Sequence, residues 1–347
     1  MSVLRQLLKY FTSIRPRINP NGHGRQLASR RMGLIIASLS FKTVSFLAFL
    51  TLAPLSAQVS TGHGTLTNPP ASPKTSTLSA PIPLPPTPTQ SELATAGWQL
   101  VWDDEFEKEG WPDSSKWGYE TGMLRNSEPQ YYIHSMDNVR VTSKGLEMII
   151  RKEHVSRDRN GHSAEFTSAS IDTSGKASWL YGRFEIQAVI PPGKFVWPAF
   201  WMMGIDRLEG VFWPKCGEVD IAEYFGRYPN PGVFSSVHFY NPSKPPPQHA
   251  SMIQGNTHGL CVTSVLHTYT MEWYPDRLDF YVDGWKYNSI PMSRIDDDGW
   301  GAFRKPMFLR LSLAMDKFGM PADPAYLPAR LLIRCVRVYQ KQGAGLN

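Results

Sequence analysis

The stretch CGEVDIAEY at residues 216–224 carries three acids within six residues of an otherwise apolar run. In a regular β-strand alternate side chains share a face, so Glu218 and Asp220 would lie together and Glu223 would point away. A β-bulge between Asp220 and Glu223 would bring all three carboxylates to one face, and bulges are common beside active sites. Crowded carboxylates repel one another, which folding alone does not favour. The stretch therefore indicates a catalytic strand, with acids on a solvated edge strand as the alternative.

The sequence around this stretch predicts an all-β domain. Short β-rich runs separated by Gly, Pro, Asn and Asp recur after Trp98, and no convincing helical pattern of three turns interrupts them. The dipeptide Asp283-Gly284 between two such runs is a strong hairpin signal, because both turn positions favour positive φ. The pattern is typical of an antiparallel sandwich or jelly roll. The clearest strands are predicted at residues 146–151, 181–190, 278–282, 285–290, 307–315 and 331–339.

The distribution of charge argues against a nucleic-acid partner. The chain has a formal net charge of +6, but residues 1–97 carry nine Lys/Arg and one acid, which leaves the remainder at −2. A basic leader does not supply the basic surface that nucleic-acid binding needs. All eleven tryptophans lie from Trp98 onward. So many aromatic residues at nearly neutral charge favour a neutral ligand with flat apolar faces, such as a sugar chain.

The composition divides the chain into three parts. Residues 1–57 form a basic leader, in which residues 44–55 have the length of a signal-peptide apolar region and are too short for a transmembrane helix. Residues 58–97 are rich in Pro, Thr and Ser, which indicates an extended linker, and residues 98–347 form one large domain. We expect export, with the protein secreted, periplasmic or associated with the cell surface. An uncleaved leader that tethers the protein to a membrane is the alternative.

The 216–224 stretch resembles the catalytic strand of glycoside hydrolase family 16, in the bulged E-x-D-x-x-E form of its laminarinase-like branch. The resemblance covers nearly all of residues 98–340, and its motifs follow in family order. It implies a concanavalin A-like jelly roll of two curved antiparallel sheets with an open substrate cleft. The other motifs are WDDEF at 102–106, NSEPQYY at 126–132, YGRFE at 181–185, WPAFWMMG at 197–204, HTY at 267–269 with EW at 272–273, YVDG at 281–284 and VRVYQ at 336–340.

The resemblance implies that Glu218 is the nucleophile, Glu223 the acid/base and Asp220 the residue that tunes the nucleophile. A retaining glycosidase needs one carboxylate to attack and one carboxylic acid to protonate the leaving oxygen, about 5–5.5 Å apart. The expected function is retaining endo-hydrolysis of a β-1,3- or mixed 1,3/1,4-glucan by a monomer. Hydrolysis of an agar- or carrageenan-type polysaccharide, transglycosylation, and non-catalytic β-glucan binding are the alternatives.

Six further residues resemble family positions that contact sugars or flank the catalytic strand. Each has a structural alternative: a tryptophan can belong to the core, a loop asparagine can serve a turn, and a histidine or arginine can be satisfied by neighbouring acids. The six candidates for substrate binding are Trp197, Trp201, Asn126, Glu128, His238 and Arg183.

Departures from the family pattern affect metal binding and the cleft rim. The family commonly has V-D-Y before VRVYQ, with the Asp as a calcium ligand, whereas this chain has Arg334 at that position. A cation in place of a ligand makes the calcium site doubtful, and three scattered cysteines do not suit a zinc site, so we expect no metal and no cofactor. The cysteines suit either one disulfide with a free thiol or three buried thiols. Residues 313–319 depart from the family loop, while residues 206–213 and 242–259 resemble insertions that could wall the cleft.

Overall fold

The computed structural model describes residues 86–229, 232–247 and 249–341, without the side chains of residues 297 and 298. The predicted leader and most of the predicted linker lie outside these residues. Two short α-helices, α1 (Gln90–Thr95) and α2 (Asp297–Trp300), accompany the strands. The strands are β1 Trp98–Asp104, β2 Gly118–Tyr119, β3 Gln130–Tyr132, β4 Val139–Thr142, β5 Gly145–Val155, β6 Ala164–Ser168, β7 Ser170–Asp172, β8 Gly182–Val189, β9 Val196–Gly204, β10 Glu218–Glu223, β11 Phe234–Tyr240, β12 Ala250–Asn256, β13 Leu266–Trp273, β14 Arg277–Val282, β15 Trp285–Pro291, β16 Met307–Met315 and β17 Ala329–Lys341. Short 3-10 helices lie at Ile205–Glu209, Met292–Arg294, Gly301–Arg304, Lys317–Gly319 and Pro324–Tyr326.

The strands form two sheets that pack face to face, which confirms the predicted all-β jelly roll. The ten-stranded sheet runs in the order β15-β14-β13-β8-β17-β5-β6-β3, with β1 beside β17 and β4 beside β5. The seven-stranded sheet runs β12-β11-β10-β9-β16-β7-β2, so β10 lies near its middle. The described pairs are antiparallel except that β3 pairs with β6 in parallel. The core fills the space between the two sheets.

Alternation along the strands decides which side chains enter this core. On β8, Phe184 and Ile186 are buried in the core, whereas Arg183 and Glu185 lie on the opposite face. The residues of β16 are buried on both faces, because it is a central strand whose outer face is covered as well. Burial of apolar surface contributes about 25 cal/mol per Å², so these central strands supply much of the stability.

The predicted hairpin is present between β14 and β15. Asp283 and Gly284 connect the strands with φ values of 48° and 79°. A left-handed backbone at both turn residues matches the twist of the strands, which is why Asp-Gly suits this position.

A helix occupies the last part of the predicted linker. Helix α1 begins with a capping box between Thr89 and Glu92, and its Leu93 is buried beside Trp98 and Tyr339. These contacts explain why the segment is ordered although its composition is that of a linker. The start of the domain at residue 98 stays a prediction.

The structure also describes the state of the cysteines and the length of the helices, which concern a disulfide bond and a membrane-spanning segment. All three cysteines are unpaired; Cys216 and Cys335 are buried and Cys261 is exposed. Among the residues that the structure describes, no helix is long and apolar enough to cross a membrane.

Candidate active site

A β-bulge interrupts β10 where the sequence predicts it. Asp220 lies opposite Trp201 of β9, and Ala222 lies opposite Phe200, so Ile221 has no partner of its own on that strand. The register toward β11 shifts over the same residues. A single extra residue of this kind reverses the alternation of side chains that follow it.

The bulge places the three acids on one face. Ile221 and Ala222 are both buried in the core between the sheets. As a result Glu218, Asp220 and Glu223 face away from the core on the same side of β10. The predicted arrangement of the three carboxylates is therefore confirmed.

A row of side chains crosses the seven-stranded sheet at the level of Asp220. Asp220 lies between Ser236 of β11 on one side and Trp201 of β9 on the other. Beyond Trp201 the row continues with Arg310 of β16 and Asp172 of β7. We call the side of the sheet that carries this row, turned away from the core, the cleft face. It is the surface over which a polymer could lie across the strands.

Asp220 is buried and surrounded by hydrogen-bond donors. The Ser236 hydroxyl donates to Asp220 Oδ2 in a short contact, and His238 Nε2 lies 3.1 Å from the same oxygen. Burial by itself would lower the pKa of His238, but the hydrogen bond to Asp220 and the charges of the nearby carboxylates outweigh it and raise the pKa to about 9. An imidazolium next to the carboxylate cluster therefore persists at neutral pH.

The pKa of Glu218 is raised by burial and by a neighbouring negative charge, and nearby cations oppose this rise. Burial and the negative charge of Asp220 raise the pKa of Glu218, and the positive charges of His238, Arg125 and Arg310 hold it down. His238 Nε2 lies 3.9 Å from Glu218 Oε1. Glu218 is thus the acid with the most cations around it.

Glu223 has a different environment. Burial and the charges of Asp220 and Glu218 raise its pKa well above the ordinary value. The Trp197 indole N–H, 3.0 Å from Glu223 Oε1, and the charge of His238 oppose the rise. With no arginine among the main influences, Glu223 is the acid that keeps its proton most easily.

The predicted sugar contacts Trp197 and Trp201 have different surroundings. Trp197 is partly exposed beside Glu223, and its ring lies 4.9 Å from that of Phe225. Trp201 is only 5% exposed and donates to Ser312 Oγ at 3.1 Å, with two arginine side chains over its ring. The Trp201 ring therefore has no free surface for the sugar stacking that the sequence led us to expect.

Asn126 and Glu128 form part of a polar network at the same site. Glu128 is buried and accepts hydrogen bonds from Gln130 Nε2 at 2.7 Å and the Tyr132 hydroxyl at 3.1 Å. Exposed Asn126 donates to Glu128 at 3.2 Å and adopts a φ of 56°. Asn126 is thus open to solvent, whereas the Glu128 carboxylate is occupied by its neighbours.

The structure does not bring Arg183 near the three acids of β10. Arg183 lies on β8 of the other sheet, on the side away from the core, where it bonds Glu185 and Glu272 at 2.6 Å each. The expectation that it contacts a sugar at this site is corrected by this placement. Its charge is used within the outer face of the ten-stranded sheet.

Arg125 and Arg310 belong to the site and were not predicted from the sequence. Arg310 is the only charged residue within the apolar strand Met307–Met315. A charged side chain in an apolar central strand needs a partner of opposite charge. The presence of Arg310 in such a strand was therefore the sequence signal that could have indicated its place in the site. Arg125 immediately precedes the NSEPQYY motif but gives no comparable signal.

Two places bear on metal binding. Ligand atoms of Glu218, Asp220 and His238 lie within 4.8 Å of one another, so these residues could hold an ion in place of the hydrogen bond between His238 and Asp220. At the family's calcium position, a pocket of about 260 Å³ beside Arg334 contains Glu105 and Arg337. Arg337 already binds Glu105 at 2.6 and 2.8 Å. The residues there do not fit a calcium ion.

The fold and the bulged strand agree with comparisons to known proteins. The sequence profile of the glycosyl hydrolases of family 16 matches residues 126–317. The chain belongs to this family. The hydrolase is 36% identical over 258 residues to a β-glucanase of Rhodothermus marinus, with 70% of this chain and 85% of that protein covered.

Solved structures give the same result. The laminarinase of Rhodothermus marinus superposes with a TM-score of 0.61 at 36% identity, covering 70% of this chain and 98% of that one. The endo-β-1,3(4)-glucanase SCLam superposes with a TM-score of 0.62 at 31% identity, covering 76% and 94%. The hydrolase acts on O-glycosyl bonds, as its family does.

Proposed function

We propose that the protein is a retaining endo-glucanase that cleaves β-1,3 or mixed 1,3/1,4 linkages, with Glu218 as nucleophile and Glu223 as acid/base. The observation that carries this proposal is the bulge at Ile221, because it places Glu223 on the face of Glu218 and Asp220. The substrate class rests on the similarity to a β-glucanase, a laminarinase and an endo-β-1,3(4)-glucanase.

In the first step, a carboxylate oxygen of Glu218 bonds to the anomeric carbon while the bond to the leaving sugar oxygen breaks. Glu223 gives its proton to that oxygen, so the leaving sugar departs neutral. The cations around Glu218 limit the rise of its pKa, which lies at about 7, whereas burial and the neighbouring carboxylates raise the pKa of Glu223 well above its ordinary value, so Glu218 gives up its proton before Glu223 does.

In the second step, water attacks the anomeric carbon of the glycosyl ester and gives its proton to Glu223. Formation of the ester has removed the negative charge of Glu218, so the pKa of Glu223 falls and the residue can act as a base. Glu218 leaves as a carboxylate. Two inversions at the same carbon preserve the β configuration.

Asp220 and His238 support this cycle without bonding to the sugar. Asp220 lies between the two glutamates in the sequence and is fixed by Ser236 and His238. We assign Asp220 the role of positioning Glu218, and its negative charge favours the step in which Glu218 loses its own charge by forming the ester. A non-catalytic glucan-binding role would leave this arrangement of three acids and their compensating cations without a purpose.

The test compares Glu218→Ala and Glu223→Ala on an activated aryl β-oligoglucoside in the presence of azide. Azide should rescue Glu218→Ala with an inverted product, because it attacks from the vacated side, and Glu223→Ala with a retained product. Glu147→Ala is the matched control, since Glu147 forms ion pairs on the other sheet. Early inversion by the wild-type protein, read by NMR, contradicts the mechanism. A panel of laminarin, lichenan, agarose and carrageenan assigns the linkage.

We also propose that the protein is exported and works as a monomer. The basic leader followed by the apolar residues 44–55 supports export. Cell fractionation with alkaline extraction separates a released protein from one anchored through the leader. Size-exclusion chromatography with light scattering tests the monomer.

A further inference from the structure

Two guanidinium groups lie over the ring of Trp201 on the cleft face. The Arg310 Cζ is 4.5 Å from the ring centroid, and the Arg125 Cζ is 5.0 Å from it. The two arginines come from separate parts of the chain, Arg310 from β16 and Arg125 from the connection between β2 and β3. Trp201 is therefore covered in the place where a sugar was expected to stack.

Carboxylates fix the orientation of both arginines. Glu120 Oε1 accepts from Arg125 Nη1 at 3.2 Å and lies 3.3 Å from Arg310 Nη2. Asp172 Oδ2 accepts from Arg310 Nη2 at 2.9 Å and from Nε at 3.2 Å. Charge-assisted bonds to a planar guanidinium restrict its direction more than bonds to a lysine would.

Arg125 is more accessible to solvent than Arg310 and retains N–H groups that are free to bind a ligand. The Arg310 side chain is 9% exposed, and that of Arg125 is 23% exposed. Glu120 accepts from one N–H on each terminal nitrogen of Arg125, and a guanidinium has five N–H groups. Arg125 Nε faces Glu128 Oε1 at 3.9 Å, so one N–H on each terminal nitrogen remains, and these two donors suit neutral acceptors such as sugar hydroxyls.

We propose that Arg125 is a substrate-contacting residue of the cleft, whose guanidinium donates to hydroxyls of the sugar bound beside Glu218. Arg310 is its positioning partner through Glu120. The inference rests on the proposed function, because it names the sugar of that same site. Trp201, which Arg125 covers, lies opposite Asp220 on the neighbouring strand, and this pairing places Arg125 near the acids of β10. The positive charges of both arginines, which lower the pKa of Glu218, agree with that placement.

The experiment measures kcat and KM on laminarin across pH for Arg125→Gln and Arg125→Lys. Arg125→Gln should raise KM about tenfold or more, because charge-assisted donors to the sugar are lost. It should also move the acidic limb of kcat/KM to higher pH, because a cation that favours ionised Glu218 is gone. Arg125→Lys should keep the acidic limb near its wild-type position and still raise KM, since the charge remains but the planar fork does not.

Arg140→Gln provides the matched control. Arg140 also pairs with a glutamate, Glu147, at 3.1 Å and has a similarly exposed side chain, but it lies on the ten-stranded sheet. This variant should keep the wild-type KM and pH profile. A wild-type KM in both Arg125 variants overturns the inference, and the lysine variant decides it if the glutamine variant does not fold. Failure of the proposed function is distinguishable, since the wild-type protein itself would then leave laminarin uncleaved.

Discussion

The hydrogen bond between Trp197 and Glu223 should control the alkaline side of the pH profile. The indole N–H lies 3.0 Å from Glu223 Oε1 and favours the ionised carboxylate. A hydrogen bond to a charged acceptor contributes about 1.5–3 kcal/mol and one to a neutral acceptor about 0.5–1.5 kcal/mol. The difference of about 1–1.5 kcal/mol corresponds to roughly one pKa unit. Trp197→Phe keeps a smaller aromatic ring and removes this donor.

We therefore expect Trp197→Phe to raise the pKa of Glu223 and move the alkaline limb of kcat/KM upward by about one pH unit. The sign follows because Glu223 must be protonated in the free enzyme, and the variant makes its ionisation harder. The limb reports a constant of the coupled Glu218–Glu223 pair, so its displacement is the measured quantity. The assay is release of reducing ends from laminarin under first-order conditions across pH.

Trp111→Phe is the control for loss of an indole. Trp111 is 46% exposed and contacts Tyr119 and His134, with no carboxylate partner among its described hydrogen bonds. Both limbs of its profile should match the wild type. An alkaline limb that stays in place or moves downward in Trp197→Phe would refute the assignment of Glu223 as the acid.

Two further predictions concern stability. Thermal melts with a chelator and with added calcium should coincide, because Arg334 and the Arg337–Glu105 pair stand where the family's calcium would bind; a shift of several degrees that calcium reverses would contradict this. Leu93→Ala should lower Tm by about 4–8 °C, from about 2 kcal/mol of lost packing in a small cluster at the domain edge, without changing kcat. Leu100→Ala, at a position 45% exposed, is its control and should leave Tm within about 1 °C.

The strands and the catalytic face were predictable because their signals are local. The run at residues 307–315 became the strand Met307–Met315 with the same bounds. The Asp283-Gly284 turn and the bulge before Glu223 also follow from neighbouring residues. Strand β12, Ala250–Asn256, lies instead within residues 242–259, for which the sequence predicts an insertion. Its sequence lacks a clear apolar alternation and contains a glycine, so only its pairing with β11 reveals it.

The environments of the tryptophans were not predictable to the same degree. Six of the eleven are buried, so much of the aromatic content serves packing and does not indicate a ligand. The surroundings of Trp201 depend on Arg125 and Arg310, which arrive from distant parts of the chain. Arg183 likewise finds Glu272 only when β13 pairs with β8. Contacts of this kind arise from tertiary structure, and no local pattern contains them.

The distribution of cations gives a reason for the division of roles that does not depend on family resemblance. Three acids on one face of a strand would repel one another, and His238, Arg125 and Arg310 all offset that repulsion at Glu218. Glu223 has only His238 and the Trp197 indole. Exchanging the roles would require the ionised group at the position with less positive charge and the protonated group at the position with more. The electrostatic asymmetry therefore favours Glu218 as nucleophile and Glu223 as acid, and it connects the arginines of the cleft face to the chemistry.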